Sequence, residues 1–383
     1  MKKSRLKDEL EWVDGTSTFE NDLLEKVKTY NEVIIFGAGI GGRMTCDLLE
    51  EHGQSEKIKA FSDNNKDKIG SFYLGKPVIA PGNITNNEKQ LVLVCSTAFD
   101  IIFEQLVNMG IGPSNIYFFQ PAGISLSGSQ DILFIKENMD RFEAIYDKLA
   151  DEKSRKIYRS LLNYRISKRV FYLEDIKDSV DREENQYFDE EILNQYFFSE
   201  GFVDAGAYIG DTISAFFHHY PDFKGNYYCM EAGTVVYGRL CENISKMNYK
   251  NVYPYQYAVW DEEGTLKFDT TTFGDGGGSR VSDNGEIVDC DCLDHLLEGK
   301  SVDFIKMDIE GAEKKALSGA KELIRKNRPI LTICIYHKQE DFFDIPETIE
   351  DILEDEYIFY VRQYRYGQSE TVLYAMPKSR KMK

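Results

Sequence analysis

Short apolar segments alternate with amphipathic segments along the first third of the chain. Apolar runs of about five residues predict β-strands, here Glu32–Phe36, Lys57–Phe61, Gln90–Cys95 and Asn115–Phe119. Apolar residues at spacings of three and four predict a helix over Phe99–Met109. Strands that alternate with helices form parallel sheets. We therefore expect a leader over residues 1–30, followed by a Rossmann-like, doubly wound α/β domain over residues 31–125.

The pattern changes over residues 126–200. From Asp131 onward apolar residues recur every three or four positions, which predicts one long amphipathic helix. Asp151 is suited to cap a second helix, whose buried stripe consists of Ile157, Tyr158, Leu161 and Leu162. The preceding stretch, Pro121–Gln130, has the Pro, Gly and Ser content of a domain border. These residues predict a helical segment that joins two α/β units, although Tyr172–Ser199 shows no clear period.

Strands and helices alternate again over residues 201–378. The predicted strands are Phe202–Asp204, Tyr227–Glu231, Val252–Val259, Thr265–Phe268, Ile287–Cys292, Asp303–Asp308 and Ile330–Tyr336. Helices are predicted from Asp211, through Leu240, through Leu323 and around Ile349–Leu353. The aromatic-rich segments Tyr357–Arg362 and Thr371–Ala375 then predict an antiparallel hairpin at the sheet edge. The fold class is thus α/β, with two doubly wound sheets joined by a helical segment.

Charge and composition narrow the functional classes. The 383 residues contain 46 Lys and Arg against 65 Asp and Glu, a net charge of −19. Because such a surface repels phosphate backbones, we do not expect nucleic acid as a partner. No apolar run reaches the roughly 20 residues of a membrane span, and the charged first residues contain no signal segment. We therefore expect no transmembrane segment and a cytoplasmic location.

The seven cysteines are scattered and include no Cys-x-x-Cys pair. This usage favours a reducing compartment over a disulfide framework. Cys290 and Cys292 would share one face of a strand, and a half-buried strand accounts for both. Since two thiols make only half of a zinc site, we assign no residue as a metal ligand from the cysteines.

A glycine motif follows the first predicted strand. Gly37, Gly39 and Gly42 have the Gly-x-Gly-x-x-Gly spacing of dinucleotide-binding turns, and Asp63 follows at the end of the next strand. Glycines allow the backbone to approach a diphosphate, and a carboxylate accepts ribose hydroxyls. A tight turn in a domain that binds nothing explains the same glycines. The segment Lys57–Ile84 resembles the N-terminal Rossmann domain of sugar N-acyltransferases, which implies a nucleotide or nucleotide sugar here.

A second glycine loop follows the first strand of the C-terminal half. Residues 202–212 give a strand, an Asp204-x-Gly206-x-x-x-Gly210 turn and a helix start at Asp211, and Glu231 ends the next strand. These residues resemble the cofactor-binding core of S-adenosylmethionine-dependent methyltransferases, in particular the FkbM family. That family also shows the later run Asp303–Glu313. The resemblance implies a sheet of the seven-stranded methyltransferase type with an antiparallel edge hairpin.

The resemblance implies that S-adenosylmethionine binds at this loop. Gly206 and Gly210 let the methionine part lie against the backbone, with Asp204 accepting from its ammonium group and Asp211 close by. Glu231 accepts the ribose hydroxyls at the carboxyl end of its strand. Ala258 and Val259 wall the adenine. Ala232-Gly233 after Glu231 departs from the Pro and polar residue usual in the family, which alters the following turn.

Three further polar residues are expected beside the methyl group. Asp308 and Glu310 follow one predicted strand and His337 follows the next, so all three face one crevice. By its ordinary pKa His337 is the best general base, while Asp308 orients a ligand and Glu310 shares the proton or binds a hydroxyl. An alternative is that Asp308 and Glu310 hold Mg²⁺, which polarises a diol.

The resemblance therefore implies an S-adenosylmethionine-dependent O-methyltransferase acting on a hydroxyl of a sugar or glycan, so that a small molecule or a glycan is the expected acceptor. Two alternatives stay open. One is an NAD-dependent or nucleotide-sugar-binding enzyme centred on Gly37–Gly42. The other is a non-catalytic protein that binds S-adenosylmethionine without transferring its methyl group.

Overall fold

The computed structural model describes residues 5–12, 16–96, 99–119, 127–167, 171–176, 179, 183–247, 249–269, 280–282, 285–365 and 369–382. The chain packs into two compact units. The first consists of Met1–Glu143, Lys156–Val180 and Arg365–Ser369, and the second of Ala144–Arg155, Asp181–Tyr364 and Glu370–Lys383. Most of the predicted border Pro121–Gln130 lies outside the described residues. Within the described ranges, no helix combines the length and the apolar character that crossing a membrane requires.

A six-stranded sheet organises the described part of the first unit. Its strands are β1 (Glu32–Phe36), β2 (Ile58–Ser62), β3 (Phe72–Tyr73), β4 (Lys76–Ile79), β5 (Gln90–Val94) and β6 (Ile116–Phe118). They lie in the order β3-β4-β2-β1-β5-β6, and only β3 pairs antiparallel. The helices are α1 (Leu6–Glu9), α2 (Thr16–Lys28), α3 (Ile40–Glu51) and α4 (Phe99–Asn108). The predicted Rossmann-like alternation is confirmed.

The β3–β4 hairpin was not predicted. Its two-residue turn, Leu74-Gly75, has positive φ at both positions, 49° and 75°, as a type I′ turn requires. Strands of two and four residues are too short to give a hydrophobic period.

Five helices follow in the middle of the chain. They are α5 (Ser127–Glu137), α6 (Met139–Lys148), α7 (Glu152–Ser167), α8 (Phe171–Ile176) and α9 (Glu190–Leu193). The prediction of one long helix from Asp131 is wrong, because the helix is interrupted at Asn138. The Phe134 carbonyl accepts both the backbone N–H and the side-chain amide of Asn138 there. The predicted cap is confirmed: Asp151 accepts the Ser154 N–H at 2.7 Å. The four predicted apolar residues of α7 are fully buried.

A seven-stranded sheet forms the centre of the second unit. The strands of this unit are β7 (Gly201–Ala205), β8 (Asn226–Met230), β9 (Val252–Tyr255), β10 (Ala258–Val259), β11 (Gly264–Asp269), β12 (Arg280–Val281), β13 (Glu286–Asp291), β14 (Phe304–Met307), β15 (Ile330–Cys334), β16 (Tyr357–Gln363) and β17 (Thr371–Pro377). The large sheet has the order β16-β17-β15-β14-β7-β8-β9. It is parallel except for β17, which pairs antiparallel with β15 and β16. The predicted sheet type and edge hairpin are confirmed.

The helices of the second unit lie between these strands in sequence. They are α10 (Asp211–His219), α11 (Thr234–Lys246), α12 (Leu293–Leu296), α13 (Glu313–Ser318), α14 (Lys321–Asn327) and α15 (Asp341–Ile352). The single helix predicted through Leu323 is two helices, α13 and α14. The chain leaves the helix at Gly319, where a Cβ atom would overlap the Trp260 carbonyl oxygen.

Residues of three strands expected in the large sheet form a separate small sheet, together with β12, which was not predicted. Its order is β10-β13-β11-β12, so the predicted strand Val252–Val259 divides into β9 in one sheet and β10 in the other. Thr265–Phe268 and Ile287–Cys292 also belong to the small sheet. An alternating pattern shows that a strand has one buried face, but it does not show which sheet the strand joins.

The strand order places a crevice beside β7 and β14. From β7 the chain continues to β8 and β9 on one side, whereas β14 and β15 lie on the other. At such a reversal the loops after neighbouring strands separate, and ligands bind at the carboxyl ends of the strands. The ends of β7, β8 and β14 carry Asp204, Glu231 and Asp308.

A buried ionic network within the second unit joins β16, the start of α9 and the segment Asp151–Arg155 at which α7 begins. Arg362 is 2% exposed, and it donates to Asp189 and Asp151 at 2.7 Å each. Asp189 accepts the Ile192 N–H at the start of α9, as Asp151 accepts that of Ser154 in α7. The two helix caps therefore share one cation.

Replacing Arg362 by Met is expected to lower the free energy of unfolding by about 3–5 kcal/mol, because two buried carboxylates lose their counter-charge. Urea titration of the full chain measures the change. The matched control is Lys246→Met, which removes one partner of an exposed i,i+4 pair with Glu242 and should leave the free energy nearly unchanged. Equal effects of the two substitutions would contradict this account.

Candidate functional site

A cavity of about 320 Å³ opens at the carboxyl ends of β7, β8, β10 and β14. Its volume lies within the range of small-molecule sites, about 300–1,000 Å³. The predicted residues that line it are Gly206, Asp211, Glu231, Ala258, Val259, Asp308 and Glu310. Asp204, Gly210 and His337 are not among its lining residues. The cavity therefore brings most of the predicted cofactor residues together with two of the three predicted catalytic residues.

Gly206 forms the floor of the cavity where β7 ends. Its φ is +82°, and a Cβ atom there would overlap the carbonyl oxygen of Asp308 on the neighbouring chain segment. Both the left-handed backbone and the close approach require glycine. Gly210, with φ +89°, precedes α10. Of the three residues in the Asp204-x-Gly206-x-x-x-Gly210 pattern, Gly206 brings bare backbone to the cavity, and Tyr208 between the glycines lines it as well.

Glu231 is held by backbone donors at both of its oxygens. One oxygen accepts the Tyr208 N–H at 3.1 Å, and the other accepts the Gly233 N–H at 2.8 Å. Burial raises the pKa of this carboxyl to about 7, against the lowering effect of these hydrogen bonds. Each carboxylate oxygen has a further lone pair, so Glu231 can accept two hydroxyl groups from the cavity side.

Asp204 lies beneath the loop and forms an ion pair inside the sheet. Its Oδ1 lies 2.8 Å from Nζ of Lys306, its neighbour across the β7–β14 pairing, and its Oδ2 accepts the Tyr227 hydroxyl at 2.8 Å. The same Lys306 Nζ donates to the Gly206 carbonyl at 2.7 Å. Burial alone would lower the pKa of Lys306. The negative charges of Asp204 and Asp308 raise it by more than burial lowers it, so the lysine stays charged. Asp204 therefore fixes Lys306 and the loop, and it does not face the cavity.

Several charged side chains surround His337, which follows β15. Nε2 of His337 lies 3.4 Å from Asp308 Oδ1 and 3.6 Å from Glu310 Oε2, and Nδ1 lies 3.0 Å from Glu313 Oε1. Asp308 Oδ2 accepts the Tyr187 hydroxyl at 2.7 Å. The structure thus brings the three predicted catalytic residues together and adds Glu313.

Comparison with known proteins agrees with this arrangement. The family model described as the methyltransferase FkbM domain matches residues 204–366. Residues 204–366 form an FkbM methyltransferase domain. A second model, described as C2185-like, N-terminal, matches residues 29–117. The search of curated proteins gave no match. The enzyme is therefore an S-adenosylmethionine-dependent methyltransferase.

One solved structure shares the fold of this chain over most of its length. The FkbM methyltransferase of Methylobacillus flagellatus KT is 20% identical, with a TM-score of 0.62, over 94% of this chain and 97% of that one. An rRNA methylase from Streptococcus thermophilus is 11% identical, with a TM-score of 0.32, over 50% of this chain and 91% of that one. At 20% identity the first match shows a shared fold.

Part of the cavity lining in the FkbM domain is apolar. Ala258 and Val259 of β10 are buried, and Trp260 and Phe268 line the cavity with them. These residues belong to the small sheet or follow β10 directly, and they are the candidates for the predicted adenine wall. The Glu231 oxygens, the glycine loop and this wall together fit S-adenosylmethionine.

His337 of the FkbM domain is surrounded by carboxylates. Burial lowers its pKa, but Glu313, Asp308 and Glu310 raise it by more, to about 10. Burial likewise raises the pKa of Asp308, while His337 and Lys306 bring it below its ordinary value. At neutral pH His337 is therefore protonated in this environment, and a protonated imidazole does not accept a proton. The predicted role of His337 as the base does not fit these neighbours.

Sequence reasoning missed Lys306, Glu313 and Tyr187 in the FkbM domain. Lys306 interrupts an apolar strand, and its side chain shares a strand face with Asp308. That charge inside a buried strand was the available signal, since a buried lysine needs a buried partner. Glu313 and Tyr187 gave no comparable signal, because their roles depend on contacts with distant residues.

The N-terminal glycine loop of the first unit has its own hydrogen bonds. Asp63 accepts the Ala38 N–H at 3.0 Å and the Lys68 ammonium at 2.8 Å, and its pKa stays below the ordinary value because Lys68 and backbone donors outweigh its burial. A Cβ atom at Gly42 would overlap the Gly37 carbonyl oxygen, so close packing against Gly37 explains the glycine at position 42. Gly39, in contrast, has an extended backbone with φ −146° and open space around its Cα. Whether this loop binds a nucleotide stays a prediction.

Replacing Gly206 by Ala is expected to destabilise the FkbM domain. An L-residue at positive φ costs about 1–2 kcal/mol, and the overlap with Asp308 adds to this cost. Thermal unfolding and calorimetry with S-adenosylmethionine measure the losses of stability and binding. Gly238→Ala is the control, because Gly238 lies inside α11 with no atom near its Cβ position, and alanine favours a helix by about 1 kcal/mol. A Gly206→Ala protein as stable as Gly238→Ala would contradict the close approach.

Proposed function

We propose that this enzyme transfers a methyl group from S-adenosylmethionine to a hydroxyl group of a sugar or glycan. The observation that carries the proposal is that one cavity combines two kinds of lining residue. Glu231, the glycine loop and the apolar side chains Ala258 and Val259 line it together with Asp308 and Glu310. The first set matches the polar and apolar parts of the cofactor. Asp308 and Glu310 offer hydrogen-bond acceptors for an acceptor hydroxyl in the same cavity.

The chemistry needs position and a proton acceptor. The bound cofactor supplies a methyl group on a positively charged sulfur. As the acceptor oxygen forms its bond to the methyl carbon, the carbon–sulfur bond breaks and its electron pair stays on sulfur. Holding the oxygen in line contributes most of the acceleration. Glu310 accepts the hydroxyl proton, because its carboxylate lines the cavity and His337 is already protonated.

The carboxylates that line the cavity also support the choice of acceptor. Asp308 and Glu310 are hydrogen-bond acceptors, and the cation nearest to them in the lining, Lys306, is paired with Asp204. Such a surface favours a neutral molecule with several hydroxyl groups and disfavours phosphates and carboxylates. All seven cysteines are free, which supports action in the reducing cytoplasm.

Binding of S-adenosylmethionine is expected to strengthen as the pH rises through about 7, where Glu231 loses its proton. Between pH 6 and 8 the dissociation constant should fall by up to about tenfold, since only the carboxylate accepts both ribose hydroxyls at full strength. Calorimetric titration at several pH values measures this. In Glu231→Gln the affinity should be about tenfold lower at pH 8, and it should show only the pH dependence of the ligand itself.

A wild-type curve parallel to that of Glu231→Gln would contradict this role for Glu231. Absence of binding, together with binding of NADH or a nucleotide sugar, would replace the proposal by the alternative enzyme centred on Gly37–Gly42.

Transfer itself is tested with methyl-labelled cofactor and a panel of monosaccharides and oligosaccharides. We expect label in at least one acceptor and none in its fully O-methylated form. Glu310→Gln should lower kcat by about 10²–10⁴-fold, the usual contribution of a general base, and leave the affinity for S-adenosylmethionine unchanged. Cofactor binding without transfer to any hydroxyl acceptor would favour the non-catalytic alternative.

A further inference from the structure

Three consecutive hydrogen bonds connect Asp308 with two further polar residues of the cavity. Tyr187 donates its hydroxyl to Asp308 Oδ2 at 2.7 Å. Nε2 of Gln186 donates to the Tyr187 hydroxyl at 2.9 Å and to Glu370 Oε2 at 2.6 Å. All four residues line the cavity and belong to the second unit. Gln186 and Glu370 therefore lie close to Asp308, in the cavity that the proposed reaction uses.

The partners of Gln186 determine how its amide is oriented. The Tyr187 hydroxyl gives its proton to Asp308, so it can only accept from Gln186, and the Glu370 carboxylate is an acceptor as well. Burial raises the pKa of Tyr187 well above its ordinary value, and the charge of Asp308 raises it further, so the hydroxyl keeps its proton. Both hydrogens of the amide are thus used within the protein, and what the amide can offer a ligand is its carbonyl oxygen.

Backbone strain is concentrated at this cavity. Seven of the described residues other than glycine have a positive φ. Four of them line the cavity, namely Tyr187 at 71°, Tyr208 at 45°, Glu310 at 56° and Glu370 at 60°. A left-handed backbone is unfavourable for residues with a Cβ atom, and it persists where the surroundings impose it, commonly at functional sites. Tyr187 and Glu370 are therefore held at defined places in the cavity wall.

The segment that carries Gln186 and Tyr187 is anchored in the core. The next residue, Phe188, is fully buried. Asp189 after it accepts the Ile192 N–H at the start of α9 and the Arg362 guanidinium at 2.7 Å. A side chain that is to select a ligand has to be held in this way by the residues around it.

Gln186, Tyr187 and Glu370 lie outside residues 204–366, which the FkbM domain model matches. The residues assigned to the cofactor, from Gly206 to Val259, lie inside that range. Segments before and after the domain thus complete the cavity. Enzymes of one fold differ in the residues that are added to the common core, so these side chains are suited to select the acceptor.

We propose that Gln186 and Glu370 bind a second hydroxyl group of the acceptor, close to the one that receives the methyl group. Glu310 takes the proton of the first hydroxyl, and the second donates its hydrogen to Glu370 or to Gln186 Oε1. The acceptor is then a sugar or another polyol with at least two hydroxyl groups, and an alcohol with one hydroxyl is a poor substrate. This inference rests on the proposed function for the first hydroxyl.

The experiment measures the binding of saccharides by the full chain, with and without S-adenosylhomocysteine. Titration followed by saturation-transfer NMR, with the panel of monosaccharides and oligosaccharides, gives the affinities. We expect Glu370→Gln and Gln186→Ala to weaken binding about 10–100-fold, as loss of a hydrogen bond in a charged network does, and to leave the affinity for S-adenosylhomocysteine unchanged. Glu298→Gln is the matched control and should bind as the wild type does, because Glu298 is exposed and is not a lining residue of the cavity.

Deoxy derivatives of a saccharide that binds identify the second hydroxyl. Replacing its hydroxyl groups one at a time by hydrogen should show one position, other than the methylated one, whose loss weakens binding by the wild type about 10–100-fold. In at least one of the two variants the same deoxy saccharide should bind about as well as the parent saccharide, because the contact is already missing.

Saccharide binding that neither variant weakens would overturn this inference, even if a methyl group is transferred to a hydroxyl. A wild-type protein that binds no saccharide would overturn it as well, whereas label in another hydroxyl acceptor would keep the transfer reaction. Equal weakening of saccharide and S-adenosylhomocysteine binding would show that the two side chains only support the fold. Saccharide binding that depends on Gln186 and Glu370, in a protein that transfers no methyl group, would establish the recognition site and contradict the proposed transfer.

Discussion

The buried ion pair between Asp204 and Lys306 is the contact on which the rest of the site depends. Burying two charges is costly unless each finds further partners, and here Asp204 has Tyr227 and Lys306 has the Gly206 carbonyl. The pair therefore fixes the turn after β7 from below. It joins β7 and β14, where the strand order reverses. The same pair therefore helps to position the glycine loop after β7 and the carboxylates after β14.

Negative and positive side chains alternate through the site, starting at the Asp204–Lys306 pair. Lys306 lies between Asp204 and Asp308, and beyond Asp308 lies His337, which is in turn surrounded by Glu310 and Glu313. Each cation lowers the cost of ionising the carboxylates beside it. Because His337 and Lys306 hold the pKa of Asp308 below its ordinary value, Asp308 stays ionised despite its burial.

The sequence predicted most of the strands, because buried parallel strands give continuous apolar runs. It also predicted the residues at strand ends that line the cavity, since the carboxyl ends of parallel strands meet at one edge. It failed where the result depends on distant partners. Asp204 was expected to face the cofactor, and only the register of β14 reveals that Lys306 is opposite it. His337 was expected to be a base from its ordinary pKa, which takes no account of three surrounding carboxylates. The small sheet was missed because the pattern of a strand shows that it has a buried face but not which sheet it joins.

The position of β17 has a consequence for the synthesis of the protein. In the sheet β17 lies between β15 and β16, although it follows both in the chain. Until its residues leave the ribosome, β15 presents an open edge of unpaired backbone groups, and β16 has no neighbour in the sheet. Open edges pair readily with other chains, and domains whose last strand is internal complete their folding only after that strand is available. The β15 edge therefore gains its neighbour in the sheet only when the last strand, Thr371–Pro377, has been synthesised.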